Sequence, residues 1–147
     1  MIPIYRRMVR AQSRPGQADA CAAGLGALQP ELRQRIADGQ ILTASVFRWG
    51  EQFFFYDECI AVPLEAETLF GAAADTLRSW PGGQEGRRFA PLMDIFHCVE
   101  PLGLEHWRRK QAPQRIFARL ARLKPEMVSS YIFYHYQLQE EKPGSFD

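Results

Sequence analysis

The chain has little that marks a standard enzyme or metal protein. It holds three cysteines, Cys21, Cys59 and Cys98, far apart and with no CxxC pair. That spacing indicates neither a disulfide framework nor a zinc site. The plainest reading is small core residues in a reducing cytoplasm. HExxH, GxSxG and EF-hand patterns are all absent, so hydrolase or metal chemistry of those kinds is not expected and no cofactor is implied. No stretch approaches the ~18 apolar residues of a membrane-spanning helix, and MIPIYRRMVRAQSR lacks the apolar segment of a secretory signal. A formal net charge of +1 argues against a surface given over to nucleic acid.

What is present suits one α+β domain over all 147 residues. RMVRAQ (Arg7 to Gln12) reads as a first strand, broken by Pro15-Gly16. Ala18 to Ala37 is rich in helix formers, with Leu25, Leu28, Leu32 and Ile36 at helical spacing. Pro30 predicts a break within it and Asp38-Gly39 its end. ILTASVFRWGEQFFFYDEC reads as two strands around Gly50-Glu51, a Gly-X pair suited to a type II′ turn. Apolar groups fall on both faces of these strands, as in a sheet covered on both sides. A helix over Leu64 to Trp80, with Leu69, Ala73, Leu77 and Trp80 as its core-facing residues, and a strand over Leu92 to Glu100 follow. The order is β-α-β-β-α-β, the ferredoxin-like arrangement, whose second sheet face a twin subunit often covers to give a dimeric α+β barrel.

A C-terminal α-β extension is expected beyond that core. Helices are predicted at Leu104 to Lys110 and Gln114 to Leu123, and SSYIFYHYQLQEE reads as a strand from its aromatics. LQPEL (28–32) and LKPEM (123–127) are nearly the same pentapeptide. They suggest a β-α-β unit used twice, over 7–60 and 92–141. The competing reading is a shared helix-start device, because Pro suits a first turn and Glu the positive end of the helix dipole.

The first sixty residues resemble the L-rhamnose mutarotase family in RMVRAQ, in the helix running into LQPELRQRIADG, and in the hairpin ILTASVFRWGEQFFFYDEC. SWPGGQEGRRFAPLMDIFHC extends the likeness to about residue 99. The resemblance implies a small homodimeric α+β barrel and, by extension, a sugar ligand and isomerase chemistry. The family's first helix carries a tyrosine and a histidine that approach the sugar. Here those places fall on Cys21 and Leu25, which cannot do that work, so an enzyme of this mechanism would draw its acid and base from elsewhere.

Proton exchange at a sugar's anomeric centre needs an acid and a base, and histidine titrates in the right range. His97 and His135, each in a predicted strand among aromatics, are the catalytic candidates, for two such strands could aim both rings into one cavity. His135 would share its face with Phe133 and Gln137. Tyr56, Tyr134 and Trp80 offer flat surfaces for a ligand, and Asp94 an acid, with Asp57 and Glu58 behind it. Core packing is the competing role for each. Arg115, Arg119 and Arg122 would make one basic stripe on a helix, suited to an anion or simply to solvent. Arg87-Arg88 could likewise grip an anion.

The leading expectation is a cytoplasmic homodimer that binds a small polar, sugar-like ligand, with mutarotase-type proton transfer. The alternative is a non-catalytic interaction module using the basic segment 108–124 or the edge strand 131–141. Membrane partners are not expected, and nucleic acid is a third and weaker reading.

Overall fold

A computed structural model describes residues 4–60, 63, 65–80, 86–93 and 116–141. The chain divides into two compact units, residues 2–93 and 94–147. Within the first, β1 is Tyr5–Gln12, α1 Ala18–Ala27, α2 Gln29–Ala37, β2 Thr43–Trp49, β3 Gln52–Cys59, α3 Ala66–Phe70 and β4 Ala90–Leu92. The four strands form an antiparallel sheet in the order β2-β3-β1-β4. With α1 and α2 after β1 and α3 after β3, this is the α+β arrangement of a ferredoxin-like fold.

The local reasons for these elements are those the sequence offered. α1 stops at Leu28, and Gln29-Pro30-Glu31 opens α2 with Pro in its first turn. α2 ends at Asp38, followed by Gly39 at a φ of 74°. Gly50 has a φ of 57° and no described residue other than glycine has positive φ, so Glu51 does not, which separates this turn from type I′ and fits type II′.

α3 is shorter than the predicted Leu64 to Trp80 helix. Gly71, at a φ of 51°, ends it, and Gly71–Thr76 continues as a 3-10 turn. From Leu77 the chain is extended, with Leu77 bridged to Ser13 and Arg78 N–H donating to Gln12 O, so the C-terminal part of the expected helix is tied to the sheet. Leu69, Ala73 and Leu77 are nonetheless buried, as expected. β4 begins two residues before the predicted strand, and residues 94–100 of that prediction lie outside the described residues.

Strand register sorts the two faces. Val9 and Ala11 of β1 lie opposite Phe55 and Phe53 of β3, which lie opposite Val46 and Arg48 of β2. This face meets Cys21, Leu69, Phe70, Ala73 and Leu77 in the core, with Leu25 and Leu32 packed against it. Each fully buried side chain of this size is worth about 1.5–3 kcal/mol over an exposed one. None of Met8, Phe47, Phe54 and Tyr56, on the second face, joins the core cluster. There apolar groups alternate with Arg6, Arg10 and Glu58 rather than forming an apolar surface.

α1 and the 3-10 turn approach closely enough to reverse a helix-propensity rule. A Cβ added to Gly24 would lie 3.0 Å from Ala73 Cβ, whereas one added to Gly26 meets nothing within 4 Å. Gly26→Ala should therefore stabilise by about 0.5–1 kcal/mol. Gly24→Ala should destabilise by about 1–3 kcal/mol through overpacking. Urea titrations of the two variants should shift in opposite directions; a matching gain would show that the contact relaxes freely.

The second unit corrects two expectations. Residues 116–124, predicted helical as far as Leu123, adopt no regular structure, and Val128–Glu141 (α4) is a helix where a strand was predicted. Like charges on Arg119 and Arg122 would lie one turn apart on a helix, which disfavours it. Pro125–Met127 forms a 3-10 turn leading directly into α4. The two pentapeptides thus share a helix-start device, and β-propensity of the aromatics yields to it. The β-α-β unit expected over 92–141 accordingly lacks its closing strand, and 131–141 offers no edge strand.

Candidate functional site

A concavity among the described residues lies between α1, α2, α3 and the core face of the sheet. It has a volume of about 410 Å³. Phe53, Phe55, Leu69 and Phe70 are buried residues of its wall, and Leu25 and Leu32 contribute from the helices. Such apolar walls with a few polar groups are the usual character of a small-ligand site. Its charged lining residues are Arg33 and Arg48, joined by Gln29 and Ser45. No Asp, Glu or His lines it among the described residues.

The two arginines reach this place for different reasons. Gln29 and Arg33 sit one turn apart on α2, at i and i+4. Arg48 lies at the end of β2 on the core side, opposite Phe53. Its Nη1 donates to Asp19 of α1 at 2.7 Å and its Nε to Gly50 O at 2.9 Å. Asp19 is almost fully exposed, so this pair orients Arg48 more than it stabilises the fold. Arg33 makes no ion pair with a described residue. Cys21 of α1 belongs to the core cluster and is fully buried. Burial pushes its thiol above the ordinary value, against a hydrogen bond with Thr76 and the charge of Arg48, so it remains a protonated packing group.

Two buried acid–base pairs lie at the far end of the same strands, on opposite faces. On the core face, Arg7 donates from Nε and Nη2 to the two oxygens of Asp57, at 2.8 and 3.0 Å. On the second face, Arg6 Nε donates to Glu58 Oε1 at 3.2 Å, and the Tyr56 hydroxyl donates to the same oxygen. The side chain of Glu58 is only 3% exposed.

The residues anticipated from the sequence do not converge on one described cavity. Tyr56 is half-buried on the second face and bonded to Glu58. Trp80, also half-buried, stacks on Arg10, with 4.8 Å between the guanidinium carbon and the ring centroid. Tyr134 and His135 belong to α4 in the other unit, where Tyr134 is 65% exposed. His135 stacks on Tyr131 at 4.2 Å, and its Nδ1 lies 2.8 Å from the Tyr131 carbonyl. If Nδ1 carries the proton for that bond, Nε2 is the nitrogen left as acceptor. Being helical, His135 pairs with a residue four positions away and does not share a strand face with Phe133 and Gln137. His97, Asp94 and Arg115 lie outside the described residues. Arg119 and Arg122 are exposed but form no helical stripe. Arg88 is paired with Asp75, and Arg87 Nε bonds the Phe89 carbonyl.

Sequence reasoning missed Gln29, Arg33 and Arg48. The i, i+4 spacing of the first two was legible, but only the folded chain brings them and Arg48 to line one cavity. Among the described residues, no cluster of three or more His, Cys, Asp or Glu could hold a metal, and no helix is long and apolar enough to cross a membrane.

No protein-family model and no curated protein matches the chain. The structure is similar to a crystal structure of L-rhamnose mutarotase from Formosa agariphila. The two are 20% identical with a TM-score of 0.45, over 63% of this chain and 97% of that one.

Proposed function

We propose that the helix–sheet cavity binds a sugar-sized ligand carrying an acidic group. The supporting observation is the lining itself: an aromatic and aliphatic wall, two guanidinium groups and, among the described residues, no acid. A pyranose ring can lie against the phenylalanine wall while Gln29 serves its hydroxyls. Arg33 and Arg48 favour a carboxylate, since charge-assisted hydrogen bonds are stronger than neutral ones. The test is a calorimetric titration with D-galacturonate and with D-galactose. Galacturonate should bind ~10-fold or more tightly than galactose, a gap of about 1.4 kcal/mol, and Arg33→Met should remove most of it. Equal affinities, or no heat with either sugar, would overturn the proposal.

Mutarotase-type proton exchange is the catalytic form of this reading. Its acid/base candidates are those of the sequence, His97 and His135, with Tyr134 and Asp94 as further donors; the described lining of the helix–sheet cavity itself offers neither acid nor imidazole. NMR of anomer exchange over hexoses and deoxyhexoses decides it: acceleration lost in His97→Ala supports catalysis, and no acceleration with any sugar leaves binding alone. The protein belongs in this reading to the reducing cytoplasm, where Cys21 and Cys59, both buried and free, stay as thiols.

A homodimer completes the proposal, its interface the second sheet face. Trp49 and Leu92 are exposed there, with Met8, Phe47 and Phe54 half-buried between them. Sedimentation velocity should give a dimer, and Phe54→Glu a monomer, because charges facing each other across a two-fold axis repel. A wild-type monomer at every concentration would remove this part. The rival reading, an interaction module, draws on residues 116–124. There Ile116, Phe117 and Leu120 are more than half exposed beside Arg119, Arg122 and Lys124.

A further inference from the structure

Arg10 lies on the second face of the sheet, opposite Phe54 on one side and Ala90 on the other. Its Nε donates to Gln52 Oε1 at 2.8 Å. Its guanidinium carbon stands 4.8 Å from the centre of the Trp80 ring, within cation–π range. Trp80 is itself fixed: its backbone N–H donates to Arg87 O at 2.9 Å and its indole Nε1–H to Arg88 O at 3.0 Å. The plane and edge of the guanidinium are therefore both set by the protein.

The two terminal amino groups of Arg10 are the part left over. They donate to no described residue, and no described acid forms an ion pair with Arg10. Glu58, the acid on the same face, is engaged by Arg6 and Tyr56. A guanidinium clamped by one edge and one face still presents its remaining edge as a planar fork, the shape that pairs with two oxygens of one oxyanion. Immobilising a free arginine is usually part of what such binding costs, and here Gln52 and Trp80 have already done it.

We propose that Arg10, held by Gln52 and Trp80, is an oxyanion-binding site on the second face of the sheet, separate from the helix–sheet cavity and, in the homodimer proposed above, within the space enclosed between the two facing sheets. It takes the carboxylate or phosphate group of a small ligand through its two terminal amino groups. Arg88 does not serve this purpose, since Asp75 already pairs with it, and Arg87 has no ring contact that fixes its plane as Trp80 fixes that of Arg10.

The test uses the full chain and the ¹⁵N resonance of the Trp80 indole, assigned by its loss in Trp80→Phe. Sodium acetate and inorganic phosphate are titrated separately at constant ionic strength. At least one anion should shift this resonance saturably, and the tighter of the two identifies the ligand group. Arg10→Lys keeps the charge but loses the fork, so affinity should fall ~10-fold or more. Gln52→Leu, which frees the guanidinium edge, should weaken binding by a smaller factor, ~3-fold. The backbone spectrum of each variant reports that it is folded. No saturable shift with either anion, or an Arg10→Lys variant that binds as well as wild type, would overturn the site.

Discussion

Asp57→Ala should lower the unfolding free energy by about 3–5 kcal/mol, the range for removing one member of a buried ion pair. Asp57 is 1% exposed and takes both of its hydrogen bonds from one guanidinium. The Arg7 side chain retains 18% exposure, so water relieves part of the penalty and the lower end of that range is expected. A denaturant titration showing a loss below about 1 kcal/mol would mean that the pair behaves as a surface one.

The same pair predicts a pH dependence. Burial raises the Asp57 carboxyl above its ordinary 3.8, outweighing the hydrogen bonds and charge of Arg7. The folded chain thus holds this proton more tightly than the unfolded chain does. Its contribution to stability is fully present below about pH 3.8 and is lost as pH rises through the folded-state value. Asp57→Asn cannot titrate and should remove that downward step from the stability–pH curve. It should also cost less than the alanine change, since an amide oxygen can still accept from Arg7.

Phe70→Ala should cost about 3–5 kcal/mol, the range for deleting a fully buried aromatic ring. The ring is 1% exposed. It meets Phe55 at 5.8 Å and 80°, and Phe89 at 4.8 Å and 69°, both edge-on arrangements. Such pairs add about 0.5–1.5 kcal/mol beyond the area they bury. Phe70 also forms part of the cavity wall, so its removal should weaken sugar binding even where the variant remains folded. An unchanged thermal midpoint would show that the core closes over the gap.

What could be read from the chain followed from strong local signals. Period-two alternation around Gly50-Glu51 gave the hairpin, and Pro30 gave the break between α1 and α2. Leu69, Ala73 and Leu77 were legible as core even though the helix expected to present them ends at Gly71. That stop was hidden because a single glycine in an alanine-rich run is a weak signal until its backbone conformation is known. The α4 error had another cause. Tyr131, Phe133, Tyr134 and Tyr136 favour a strand by propensity, but Pro125-Glu126 starts a helix and the Tyr131–His135 contact is a one-turn pairing. The cavity was the least legible feature. Its polar lining comes from residues 29, 33 and 48, which come to one cavity only in the folded chain.

Mapping where a sugar acid lands is the most direct trial of the cavity reading. In a methyl NMR titration with D-galacturonate, the resonances of Leu25, Leu32, Val46 and Leu69 should shift together and saturate at one affinity. Leu25→Trp, which fills the space, should abolish those shifts in a folded protein. Galacturonate that leaves these four methyls unmoved, or that perturbs only residues away from them, would contradict the assignment of the helix–sheet cavity as the ligand site.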